Sequence, residues 1–321
     1  MISRNTIRIK VMQALYAYYL SPEKDSKVSE KKLLSVFEDI YRLYIKMFAL
    51  FVPLTYIAEQ VIEIKKTLFF AKEEDLKPNT KFIDNLFIKK IKENKNLQKA
   101  IQNYGLSWEN DVEMVFVRKV FDALTNSPCY LAYMKDPERS FSKDKEFILQ
   151  MVEEFLLEND DIIHYMSEIK LHWQLDYNDV IIMLYNTLNG IKEKNTDTVA
   201  IPPLFKLVDE KSSEDKEFML DLFRKTILYN EEYVSLITKK LQNWELDRIA
   251  TIDFILLKMA ICEFCYFPSI PIRVTLNEYI EISKYYSTPK SKMFINGLLD
   301  KILEDLRNEN KVVKQGRGLM G

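Results

Sequence analysis

Residues 29–72 read SEKKLLSVFEDIYRLYIKMFALFVPLTYIAEQVIEIKKTLFFAK. Apolar side chains return every three to four positions, the period of a helix with a buried stripe. The run predicts one very long amphipathic helix, from Ser29 to about Lys72, ended by the turn region before Pro78. Its longest apolar stretch, Met47–Ala58, is twelve residues, includes Pro53 and Thr55, and is bounded by Lys46 and Glu59. A membrane span needs about 20 such residues. The stretch is therefore expected as a buried helix, bent at Pro53 where the ring removes an N–H.

The rest of the chain agrees with a helical reading. Six glycines in 321 residues is roughly 2%, against about 7% on average. That leaves little for hairpins, bulges or phosphate loops, and points to an all-α protein. Hydrophobic residues make up 47%, enough for a sizeable core. Lys and Arg number 46 against 48 Asp and Glu, a net charge of −2, which excludes a uniformly basic nucleic-acid binder but not a local basic patch. Three cysteines, Cys129, Cys262 and Cys265, fit a reducing cytosol, and residues 1–19 carry charges without a signal-type apolar run. A cytoplasmic location and no membrane are expected.

Helical patterns run over about 4–20, 81–93, 108–125, 142–171, 177–191, 214–243, 247–265, 274–286 and 289–308. Thr196–Pro203 is expected as a linker, since Pro202-Pro203 forbids a helix. A shift of 71 residues lays Asp144-Lys145-Glu146-Phe147 on Asp215-Lys216-Glu217-Phe218, and Trp173-x-Leu175-Asp176 on Trp244-x-Leu246-Asp247. Eleven of 38 positions from 144 to 181 are identical in that register. A duplicated helical unit, around 141–191, and two helix pairs of similar packing both account for it.

Catalytic groups are sparse. There is no G-x-G-x-x-G and no Gly-Lys-Ser/Thr. His164 and His172, eight residues apart, fall on different helical faces. Cys262-Glu-Phe-Cys265 lacks the second ligand pair of a zinc site and sits within an apolar helical pattern, so core packing is expected. No cofactor, metal or enzymatic activity is predicted. What remains is local charge. Arg4 and Arg8 are i,i+4 neighbours in an acid-free start, and guanidinium suits phosphate. Lys284–Phe294 is also acid-free, with Lys284, Lys290 and Lys292 interleaved with Tyr285 and Tyr286, a composition suited to single-stranded nucleic acid. Residues 77–99 hold seven lysines against Asp84 and Glu93.

Two blocks carry a resemblance. Arg4-x-x-x-Arg8 followed by Gln13-Ala14-Leu15-Tyr16 resembles the first helix of the NusB family of transcription antitermination factors. Pro271-x-x-Val274-x-x-Asn277-Glu278-x-Ile280-Glu281-x-x-Lys284, continuing as Ser291-x-x-Phe294-Ile295-Asn296-Gly297-Leu298-Leu299-Asp300-Lys301, closely resembles that family's C-terminal signature. Leu246–Phe264 resembles the preceding helix, with Ala260 and Glu263 in place. The resemblance covers about 2–21 and 214–308. It departs at Asn5 and Thr6, where the family carries further arginines, and at Met293, where it carries a basic residue.

The resemblance implies NusB-like helical bundles with an additional helical insertion: a first core helix in 1–21, the insertion in 22–210, the C-terminal core in 211–308 and a disordered tail in 309–321. It implies binding of boxA-like RNA from ribosomal RNA operons with ribosomal protein NusE, and loading onto the RNA polymerase antitermination complex. The implied RNA contacts are Arg4, Arg8, Tyr16, Lys290, Ser291, Lys292 and Phe294; the implied NusE contact is Asp253, on an exposed face of its helix. Thr288 is expected to cap a helix opening at Pro289, an anion-binding N-terminus. Gly297, costly in a helix, suggests close approach of another element. Asn277 and Asn296 are expected as semi-buried structural residues, and Leu298, Ile302 and Leu306 as core. Arg4, Arg8, Lys290 and Phe294 are expected on one surface, with the first and last helices side by side. The alternative is a helical interaction scaffold in ribosome biogenesis that does not bind RNA directly. An rRNA methyltransferase with a NusB-like first domain is set aside, since no methyl-donor domain follows before Gly321.

Overall fold

The computed structural model describes residues 2–67, 76–205, 213–241 and 249–319. Every regular element among them is helical. Contacts divide the chain into two compact units, residues 37–204, and residues 2–36 with 205–321.

The unit of residues 37–204 holds the end of α2 (Ser26–Ala49), α3 (Phe51–Lys66), α4 (Leu86–Lys92), α5 (Lys95–Tyr104), α6 (Asp111–Thr125), α7 (Pro128–Lys135), α8 (Phe141–Met151) with a π-helical turn Val152–Leu156, α9 (Asp160–Ile169) and α10 (Trp173–Gly190). The long run expected from Ser29 breaks at Leu50, so Pro53 falls in the first turn of α3. A missing N–H costs nothing in a first turn. Met47, Phe48, Leu50, Phe51, Leu54 and Ile57 are buried, as expected of a core helix. By length and hydropathy the run Ser26–Lys66 is long and apolar enough to cross a membrane, and half of its most apolar stretch is buried inside the protein.

The polar α5 buries Leu97 alone, and the eight-residue α7 buries only Cys129 and Tyr133, so neither carries a long apolar stripe. The pattern at 142–171 is interrupted at Glu158, whose φ of 58° is left-handed, and Asn159 then caps α9 by accepting from the Ile162 amide. The lysines of 77–99 are largely engaged within the unit. Lys81 is buried, donating to the carbonyls of Tyr133 (2.9 Å) and Asp136 (2.6 Å). Lys90 donates to the Glu193 carbonyl, and Lys95 pairs with Asp197 at 2.6 Å. The expected linker is thereby strapped to α5, since Asn96 also donates to the carbonyls of Thr198 and Val199.

The second unit holds α1 (Arg4–Leu20), the start of α2, α11 (Glu214–Leu228), α12 (Asn230–Lys240), α13 (Thr251–Tyr266), α14 (Ile272–Tyr286) and α15 (Ser291–Asn308). The boundary at 37 lies inside the expected insertion of 22–210, because Arg224 of α11 binds Glu30 of α2 in a two-pronged pair at 2.6 Å each. The central helix is α13, which packs against α1, α11, α12, α14 and α15. It is apolar all round and buried from Ile255 to Phe264, as such a helix must be. Its expected start at Leu246 and Asp247, and Trp244 of the internal similarity, lie outside the described residues. Phe147 and Phe218, matched in that similarity, are each buried in their own unit, whereas Asp144 caps inward groups and Asp215 pairs with Arg4.

Residues 311–319, expected as part of a disordered tail, dock instead on the α13–α14 connection. Lys314 donates to the carbonyls of Glu263 and Phe267 at the end of α13, which also accept from the Phe267 and Ile270 amides. A Cβ at Gly318 would sit 1.9 Å from the Pro268 carbonyl oxygen, so only glycine permits this approach.

Candidate nucleic-acid interface

Ser3 caps α1 by accepting from the Thr6 amide, which places Arg4 and Arg8 one turn apart as the spacing requires. Their surroundings differ. Arg8 is 1% exposed. Its Nε donates to Glu263 Oε1 at 2.7 Å, Nη2 to Glu263 Oε2 at 3.0 Å, and Nη1 to Glu278 Oε2 at 3.3 Å. Tyr279 Oη and Thr275 Oγ1 donate to the same Glu263 oxygens at 2.6 and 3.0 Å, and Asn5 Nδ2 donates to Glu278 at 2.8 Å. The rings of Phe218 and Tyr279 lie 5.1 and 5.9 Å from the guanidinium carbon. Burial alone would lower the Arg8 pKa, but the Glu263 carboxylate outweighs it and holds the guanidinium charged. Burial, and then Glu263, push the Tyr279 hydroxyl well above its usual range.

Arg8 is thus the centre of a buried ion network and is withdrawn from the expected RNA contacts. Arg4 remains at the surface, but its Nη2 lies 2.9 Å from Glu214 and its Nε 3.0 Å from Asp215, the acids that open α11. Tyr16 is exposed on α1.

A second correction concerns the start of α15. The helix begins at Ser291 rather than Pro289, with Lys290 as its preceding residue. Ser291 is buried, and its Oγ donates to Asp253 Oδ2 at 2.6 Å while accepting from the Thr288 amide at 3.2 Å. Asp253 is only 4% exposed, so it can offer no outward face to a partner. A helix packed against five others has no outward face to offer. Asp253 therefore ties α13 to the α14–α15 turn, with its Oδ1 unpartnered among the described residues. Both Asp253 and Ser291 leave the set of candidate contacts.

What stays on the surface is the turn itself. Lys290, Lys292, Met293 and Tyr285 are exposed and Phe294 is half-buried beside them. Lys284 pairs with Glu281. Among the described residues α1 and α15 do not pack closely against each other; α13 packs against both, so the expected side-by-side pair is not formed. Gly297 meets open space rather than another element, and Asn277 and Asn296 are exposed, the latter donating to Asp300 at 3.3 Å. Leu298, Ile302 and Leu306 are buried as expected.

Other candidate groups offer no chemistry. No cluster of three metal-ligating side chains occurs among the described residues. Burial pushes the Cys262 thiol up to about 12 and the Cys265 thiol up to about 11, so both stay protonated inside α13.

The NusB family model matches residues 181–304, from the second half of α10 into α15. A transcription antitermination protein NusB of Salinibacter ruber is 44% identical over 131 residues, which is 40% of this chain and 82% of that protein. The chain belongs to the NusB family. A NusB of Chloroherpeton thalassium is 36% identical over 132 residues, 40% of this chain and 61% of that protein. One from Koribacter versatilis is 39% identical over 98 residues, 30% of this chain and 67% of that protein. No solved structure matches. The NusB family match contains the Glu263, Glu278 and Tyr279 side of the buried network and the whole α14–α15 turn. Arg8, which completes the network from α1, lies outside the stretch that the family model matches.

Proposed function

We propose that this NusB-family protein is a cytoplasmic transcription antitermination factor. It binds boxA-like RNA of ribosomal RNA operons together with NusE and joins the RNA polymerase antitermination complex. The observation that carries the reading is the exposed group at the α14–α15 turn, within the family-matched stretch: Lys290 and Lys292 beside Tyr285 and Phe294. Ammonium groups neutralise phosphates while aromatic faces stack on unpaired bases. Tyr16 and Arg4 on α1 are the further candidates. Arg4 would exchange its exposed partner Glu214 for phosphate, a swap at the surface that costs little, while the half-buried Asp215 stays beside it. NusE docks on a surface other than that of Asp253. Fluorescence anisotropy with a boxA-like RNA and a scrambled one, with and without NusE, tests the reading. Tighter binding of the boxA-like strand, strengthened by NusE, supports it. Absence of RNA binding at low salt would leave the interaction scaffold, which the neutralised Arg4 and Arg8 favour.

A further inference from the structure

In the unit of residues 37–204, α3, α5 and α6 enclose an open groove of about 1390 Å³. Its apolar lining includes Val52, Tyr56 and Met114. Helix α6 buries Val117, Val120, Phe121 and Leu124, yet leaves Val115, which lines this groove, 60% exposed and Val112, one turn before it, 73% exposed. A valine pair on an outward helical face gains nothing from water and calls for cover.

The charges flanking it say what the cover is. Asp111 stands four residues before Val115 and Lys119 four residues after, all three exposed and lining the same groove. Neither charge has an ion-pair partner among the described residues. Opposite charges placed symmetrically about an apolar centre are self-complementary. In an isologous dimer each residue i that meets j is matched by j meeting i. A two-fold axis beside Val115, with the two α6 helices antiparallel, sets Asp111 of each copy against Lys119 of the other. Val112 and Val115 of one copy then cover those of the other, beside Tyr56. At ordinary crossing angles of about 20–50° the helices diverge beyond these two turns, so Asp122 and Glu109 are not pressed together. We propose that this groove is the interface of a homodimer, formed by a second copy of the chain through α6.

Sedimentation velocity of the full chain over a range of concentrations at low salt tests this. A monomer–dimer equilibrium that weakens with salt is expected. Lys119→Asp and Asp111→Lys each turn two attractions into two repulsions and should weaken the dimer by at least about tenfold. The double variant Asp111→Lys/Lys119→Asp restores opposite charges across the axis and should recover the dimer. Val115→Arg should abolish it. A monomer at every concentration overturns the proposal. So does a dimer indifferent to the single reversals, or a double variant no better than either single one.

Discussion

Arg8 grips Glu263 with two parallel hydrogen bonds, Nε to Oε1 at 2.7 Å and Nη2 to Oε2 at 3.0 Å, across 255 positions of sequence. This pair fastens α1 to the family-matched core. Removing one partner of a buried pair strands the other charge, at about 3–5 kcal/mol. Arg8→Ala should therefore lower the urea midpoint sharply. Arg8→Met combined with Glu263→Leu removes both charges and should cost less than Arg8→Ala alone. A double variant as unstable as the sum of its parts would contradict the network.

Asp253 and Ser291 join α13 to the α14–α15 turn through a 2.6 Å hydrogen bond. Ser291→Ala leaves both carboxylate oxygens of a buried aspartate without a side-chain partner and should cost about 1–3 kcal/mol. Asp253→Arg should lower the melting temperature strongly, because no exposed face exists to receive the longer side chain. Calorimetry of both variants checks this. A stable Asp253→Arg protein would show that the side chain faces outward after all.

Lys258 supplies a pH dependence. Its ammonium is buried, donates to Asn230 Oδ1 at 3.0 Å and lies over the Tyr19 ring at 3.7 Å. Burial, with Lys24 nearby, lowers its pKa to about 8 from 10.5. Between those values the unfolded chain binds the proton that the folded chain releases, so stability from this group rises with pH. The advantage of Lys258→Met over wild type in urea unfolding should therefore be largest below pH 8 and shrink toward pH 10.5. An advantage that grows with pH would contradict the assignment. Cys262 works the other way at alkaline pH, which is why the comparison is made between the two proteins at each pH.

The helices around α13 were legible from their stripes, as with Leu298, Ile302 and Leu306 in α15, and α13 itself from its near-continuous apolar run. The site was only partly so. Arg4 and Arg8 at i,i+4 fix a shared side of α1, but a spacing does not say what packs there. The acid that claims Arg8 comes from 255 positions away, and the acids that claim Arg4 from more than 200. Glu278 stood in the quoted signature block, and Glu263 was noted in the preceding helix. A pair of acids within an apolar pattern was the available signal for a buried cation. Asp253 was misplaced for a related reason: inside a helix apolar on every side, polarity alone does not indicate exposure. Lys290 and Lys292 are exposed and Phe294 half-buried, because a turn between two helices and the first turn after it have few ways to be buried.

Binding of boxA-like RNA as a function of salt tests the central claim, that RNA is held at the α14–α15 turn. Lys290→Ala and Lys292→Ala should each weaken binding and flatten the log-affinity against log-salt slope by about 0.7. Phe294→Ala should cost about 1–3 kcal/mol, the worth of one stacked base, with the slope unchanged. Lysine variants that bind like wild type at every salt concentration, with the slope intact, would contradict the account.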